Sequence, residues 1–232
     1  MFKTLFYQPI FEVLLFIYKH IAFRDLGFSI ILLTIFIRFI LLPFFYHGAK
    51  EQTKIQRLQP LIKKIQEDHK HNKEKQTQAL LDLYKEHSVN PFSSILLLII
   101  QLPVLIALYR VFLTGLTSPI FGNYNFLGLI DLKHKSFLII VLAALAQYFQ
   151  GKLMMPKTEQ GRELAAVDRT NRIMLLYMSP SVTFIILANL PSALGLYWLV
   201  SSLFSLGQQI SINKVLEKQK HGAIIGENKK VA

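Results

Sequence analysis

The chain has 232 residues, 52% of them hydrophobic, a positive mean hydropathy and a formal net charge of +12. A soluble domain rarely reaches that apolar fraction, because it must cover itself with polar groups. The absence of cysteine excludes disulfides, thiol catalysis, Cys-ligated zinc and a lipid-modified Cys. Most of the Lys and Arg lie between apolar blocks, where they set membrane orientation, and nothing points to sequence-specific nucleic-acid binding.

In chain order, residues 1–27 open with a stretch, 5 to 22, in which Gln8, Glu12 and Lys19 fall on one side at helical spacing. This predicts an amphipathic helix lying in the outer interface. Glu12 and the lack of a small-x-small site argue against a cleaved signal peptide; a sixth span is the alternative, and would move the N-terminus inside. Five apolar blocks follow at 28–46, 94–115, 136–154, 173–190 and 192–212, and none contains any of the 14 acids. Each is close to the roughly 20 residues a helix needs to cross about 30 Å of hydrocarbon. The expected class is an all-α polytopic membrane protein with five transmembrane helices.

Orientation follows from the segments between blocks. Segments 47–93, 155–172 and 213–232 together carry 18 Lys and Arg, against 5 in 1–27 and 116–135. By the positive-inside rule the N-terminus lies outside and the C-terminus in the cytoplasm, with 116–135 an external loop and 155–172 a cytoplasmic one.

Within 47–93, Ile55, Leu58, Ile62 and Ile65 recur at three- and four-residue steps, as do Leu80, Leu81 and Tyr84. Two amphipathic helices joined near His71 and Asn72 would make a cytoplasmic helical hairpin. The basic tail 213–232 is expected to be disordered beyond Lys218.

Arg38 is the most informative residue. It sits ten residues from one end of its block and eight from the other. A cation there costs about 3 kcal/mol even on a lenient insertion scale. No acid in any span can pair with it, so a water-filled cavity reaching mid-membrane is the expected compensation. In the last block Trp198, Ser201, Ser202, Ser205 and Gln209 form a polar stripe at helical spacing. Thr34 lies one turn from Arg38, Gln147 and Gln150 share a face of the third block, and Gln101 is mid-helix in the second. With an unpaired Arg, these faces are expected to line one cavity, although small hydroxyl residues also serve ordinary helix packing. Arg110 is near a helix end and can snorkel. Pro43, Pro103, Pro156, Pro180 and Pro191 lie in or at the ends of blocks, where they kink or terminate helices.

Catalysis finds little support: no HExxH motif occurs and none of the seven His falls inside a block. No cofactor or metal site is expected. An Arg-lined anion channel or transporter remains the alternative.

Eight stretches carry a resemblance: DLGFSIILLTIFIRFILLP (25 to 43), LQPLIKKIQ (58 to 66), LYKEHSVNP (83 to 91), IQLPVLIALYRVF (100 to 112), FLGLIDL (126 to 132), QYFQGKLMMP (147 to 156), YMSP (177 to 180) and LPSALGLYWLVSSLFSLGQQ (190 to 209). In this order they resemble the YidC family of bacterial membrane insertases, with its mitochondrial and chloroplast relatives. The resemblance implies a five-helix core with a groove open to cytoplasm and lipid but closed outside. It matches Arg38 to the groove arginine, Trp198 to the aromatic groove position of the last span, and Gln147 and Gln150 to the third-span motif. It further implies nascent membrane proteins as clients, folding and assembly as well as insertion, ribosome contact through the basic tail and cytoplasmic loops, work beside a Sec translocon, and residence in the bacterial inner membrane. After Asn90-Pro91 the chain departs from the family pattern, reading FSSILLL in place of Gly and a further Pro.

Overall fold

A computed structural model describes residues 3–90, 93–117, 120–155 and 172–231. The departure at Pro91 and most of the loop expected at 155–172 lie outside the described residues. The described fold is all-α apart from one small hairpin.

A π-helical turn, Lys3–Tyr7, leads into α1 (Gln8–His20). On α1, Leu14, Ile17 and Tyr18 are buried against α2 and α6 while Gln8, Glu12 and Lys19 are exposed. Asp25 caps α2 (Leu26–Ile40), its carboxylate accepting from the Phe28 amide at 2.9 Å. The apolar block around Arg38 does not continue as one straight helix: α3 (Leu42–Arg57) leaves α2 at 70°. Pro43 explains the break, since it has no N–H to donate to the Phe39 carbonyl. Pro60 stands likewise in the first turn of α4 (Gln59–Asp68). After a short turn Asn72 caps α5 (Lys73–Glu86), accepting from the Lys75 amide at 3.0 Å, and α4 and α5 pack together.

Helix α6 (Ser93–Thr117) contains Pro103 and packs on α3. Strands β1 (Asn125–Phe126) and β2 (Ile130–Asp131) pair antiparallel, Asn125 opposite Asp131 and Phe126 opposite Ile130. Next comes α7 (Phe137–Met154), then a π-helical turn, Met174–Met178, running into α8 (Ser179–Leu187). Helix α9 (Ser192–Val231) is central, in contact with α2, α3, α6, α7 and α8. Its first-turn N–H groups, which no helical carbonyl can satisfy, are taken up by the loop after β2: Ser192 and Ala193 donate to the carbonyls of His134 and Leu132 at 2.9 and 3.1 Å. The helix runs on past Lys218 to Val231, where disorder was expected. Lys, Glu and Gln favour helix there and no proline interrupts it.

The core gathers Leu14, Ile30, Leu33, Leu108, Val111 and Leu194 between α1, α2, α6 and α9. A second cluster, Ile140, Ala143 and Leu187, joins α7 to α8. Among the described residues Phe137–Met154 is long and apolar enough to cross a bilayer, and the bent pair α2–α3 is a second if taken as one span.

Candidate functional site: a polar seam along the central helix

Helix α9 presents polar side chains to four neighbours in turn, and the residues expected to line one cavity fall into separate contacts along it. Arg38 on α2 is half-buried, and its Nε donates to Ser201 Oγ at 3.0 Å. Its guanidinium also lies 4.6 Å from the centroid of the Phe45 ring, just beyond the bend. Among the described residues no carboxylate pairs with Arg38 and its two Nη groups meet no acceptor. Four N–H donors of its guanidinium therefore have no partner among the described residues.

Gln147 on α7 holds a second contact. Its Oε1 accepts from Trp198 Nε1 at 3.2 Å and Ser202 Oγ at 3.5 Å, while its Nε2 donates to Ser179 Oγ at 3.1 Å. One amide so links α7, α8 and α9. Ser201 and Ser202, adjacent on α9, put the arginine contact and the glutamine contact back to back.

Farther along, Gln209 is fully buried and donates to Thr53 Oγ1 on α3 at 2.9 Å and Asn213 Oδ1 at 3.1 Å; Asn213 Nδ2 reaches the Leu153 carbonyl on α7 at 2.7 Å. Gln101 on α6 donates to Tyr197 OH at 2.6 Å. Thr34 is buried, and its hydroxyl turns back to the Ile30 carbonyl of its own helix at 2.6 Å, so it joins none of these contacts. Gln150 and Ser205 are half-buried and make no side-chain hydrogen bond among the described residues. Phe45, Thr53, Ser179, Tyr197 and Asn213 take part without having been singled out in the sequence. Asn213 alone had a visible signal, since it extends the stripe one turn past Gln209.

A shallow pocket of about 290 Å³ lies away from this seam, where α3 meets the exit of α5, lined by His47, Glu51, Tyr84, Lys85, Ser88, Val89 and Asn90. Glu51 is 5% exposed; it receives Lys54 Nζ on Oε1 at 2.7 Å and the Asn90 amide on Oε2 at 3.0 Å. Burial alone would raise the Glu51 carboxyl, but the bonds from Lys54 and Asn90, with the nearby charges of Lys54 and His47, hold it below the ordinary carboxylate range.

Residues 16–220 match the family described as the 60Kd inner membrane protein. The chain belongs to that family. Among its relatives, the membrane protein insertase YidC of Clostridium tetani is 35% identical over 201 residues, covering 85% of this chain and 84% of that one. The YidC of Clostridium perfringens is 35% identical over 192 residues, 83% of this chain and 80% of the relative. The YidC of Wolinella succinogenes is 32% identical over 222 residues, 96% of this chain but 39% of that longer protein. All eight resembling stretches fall inside the matched region. Leu138, Leu142, Leu145 and Phe149 form an exposed apolar face of α7.

Proposed function

We propose that this chain is a membrane protein insertase that receives nascent membrane proteins at the α2–α9 polar seam and eases their insertion, folding and assembly. The observation that carries the reading is Arg38: a half-buried cation with one neutral hydrogen bond, one aromatic contact and two Nη groups left over. Family membership and the names of the relatives supply the class of activity. In this reading five spans cross the bilayer with the N-terminus outside, α1 lies in the outer interface, and α4 and α5 form a cytoplasmic hairpin. The seam opens to cytoplasm and lipid as a hydrophilic groove around Arg38 that draws on Gln101, Gln147, Gln150, Trp198, Ser201, Ser202 and Ser205, while Gln209 and Thr34 are buried in the surrounding helix packing. The basic end of α9 and the cytoplasmic loops meet the ribosome, and a Sec translocon is a further partner.

The work asked of Arg38 is electrostatic. A client's polar terminal segment, often acidic, must pass part-way across hydrocarbon, and a carboxylate about 4 Å from a guanidinium gains on the order of 4 kcal/mol at an effective dielectric of about 20. That offsets part of the desolvation cost while the client's apolar segment slides into lipid. No bond is made or broken; only an insertion barrier falls.

The test is reconstitution of the pure protein into liposomes with a small single-span client. Protease-protected insertion above that of empty liposomes supports the reading. Insertion no better than empty liposomes, together with anion flux through the protein, would replace the insertase with an Arg-lined channel.

A further inference from the structure

The hairpin of β1 and β2 is firmly held and yet presents bare leucine. Phe126 packs on Gly27 and meets Phe28 edge-on at 5.6 Å between ring centroids. At the end of β2, the Asp131 carbonyl accepts from Ser192 Oγ at 2.7 Å. The tip is thereby fixed to the first turns of α2 and α9. Leu127 has left-handed backbone, φ 54°, beside Gly128 at φ 69°, and is 57% exposed; Leu129 is 85% exposed. Three residues before α2, Phe23 is also left-handed at φ 51° and is 98% exposed. Such turn positions ordinarily take Gly, Asn or Asp, for which left-handed backbone is less strained. Here they carry or adjoin large apolar side chains that are more than half exposed, Leu129 and Phe23 almost entirely.

Cations flank these tips. Arg24 follows Phe23, and Lys133, its Nζ 3.6 Å from the Tyr124 ring centroid, and Lys135 follow the hairpin. The same end of the fold continues into the exposed apolar side of α7, where Phe137 is 71% exposed. Apolar side chains bordered by Lys and Arg at the ends of membrane helices have the composition of the headgroup boundary.

We infer that the Leu127–Leu129 tip and Phe23 sit in the headgroup–acyl boundary of the leaflet at the end where α2, α7 and α9 begin, with the flanking cations among lipid phosphates. The occupant of this surface is lipid. The tethered hairpin tip and Phe23, both near the α2 N-terminus, then fix how deeply that end of the bundle rides in the bilayer. This stands on exposure and tethering at one end of the fold and is independent of the insertase reading.

The chain has no cysteine, so single nitroxide labels need no background removal. Leu129→Cys and Phe23→Cys would be labelled in the full chain, with Lys73→Cys at the exposed start of α5 as the aqueous reference. In phosphatidylethanolamine–phosphatidylglycerol vesicles, the labels at 129 and 23 should relax more with oxygen than with a water-soluble nickel complex, opposite to the label at 73. Nickel access equal to that at 73 overturns the proposal. Shielding from both reagents also overturns it, because it would mean that protein, such as a second copy of this chain, covers the tips.

Discussion

Gln147 bonds in three directions with a single amide, and its loss has a readout built into the chain. Gln147→Leu keeps the bulk but leaves the half-buried Trp198 indole N–H and Ser179 hydroxyl without their partner, at up to about 1 kcal/mol for each lost hydrogen bond. Trp198 is the sole tryptophan, so its fluorescence reports on this contact directly. The variant should unfold at lower temperature and shift Trp198 emission; an unchanged spectrum and midpoint would mean that the indole does not rest on Gln147. At Arg38, Ser201→Ala removes the Nε acceptor and leaves the charge. It should weaken insertion of an acidic-tailed client less than Arg38→Ala does in the same liposome assay. Arg38, Trp198, Ser201 and Ser202 were legible in the sequence because polar residues inside apolar blocks stand out by composition alone. Ser179 and Tyr197 were not: their partners Gln147 and Gln101 lie 32 and 96 residues away, and no periodicity along one helix encodes a contact between two.

Among the elements, the α3–α5 junction depends most clearly on one charged group. Glu51 spans 39 residues to hold the Asn90 amide, closing the α3–α5 segment at its base. Its carboxyl is held below the ordinary range, so the ionised form is the one the folded junction favours; this contribution is present above the ordinary carboxylate pKa and is lost as pH falls through the depressed value. Amide exchange over 83–90 should therefore be slow at neutral pH and, after correction for intrinsic rates, accelerate only under acid conditions. Glu51→Gln should accelerate it at neutral pH, and the variant's remaining protection should no longer depend on pH in the acid range. Equal protection in both proteins at neutral pH would show that other contacts close the junction. The bend at Pro43 and the turn near His71 and Asn72 were legible in the sequence, but the break at Leu58 was not: the spacing of Ile55, Leu58, Ile62 and Ile65 reads as one helix, whereas α3 ends at Arg57 and α4 begins at Gln59 with Pro60 in its first turn. Nor was the β1–β2 hairpin legible, since strands of two residues are too short to show an alternating pattern.

For the whole molecule, the membrane class was legible from composition and from the exclusion of all 14 acids from the apolar blocks, because bilayer thickness and charge desolvation act on any helix regardless of its neighbours. How the polar residues would be distributed was less so. One shared lining was expected; the fold instead sets an arginine contact, a glutamine contact and a buried Gln209–Thr53–Asn213 network in sequence along α9, because a helix in contact with five others turns successive residues toward different partners. The central claim is that Arg38 acts on client charge. It is tested most directly by inserting one single-span client, with an acidic or a neutralised translocated tail, into liposomes holding wild type, Arg38→Ala or Arg38→Lys. The electrostatic account predicts that Ala impairs the acidic-tailed client several-fold and the neutral one little, with Lys close to wild type. Equal insertion of the acidic-tailed client by wild type and the Ala variant, or equal loss for both tails, would contradict it.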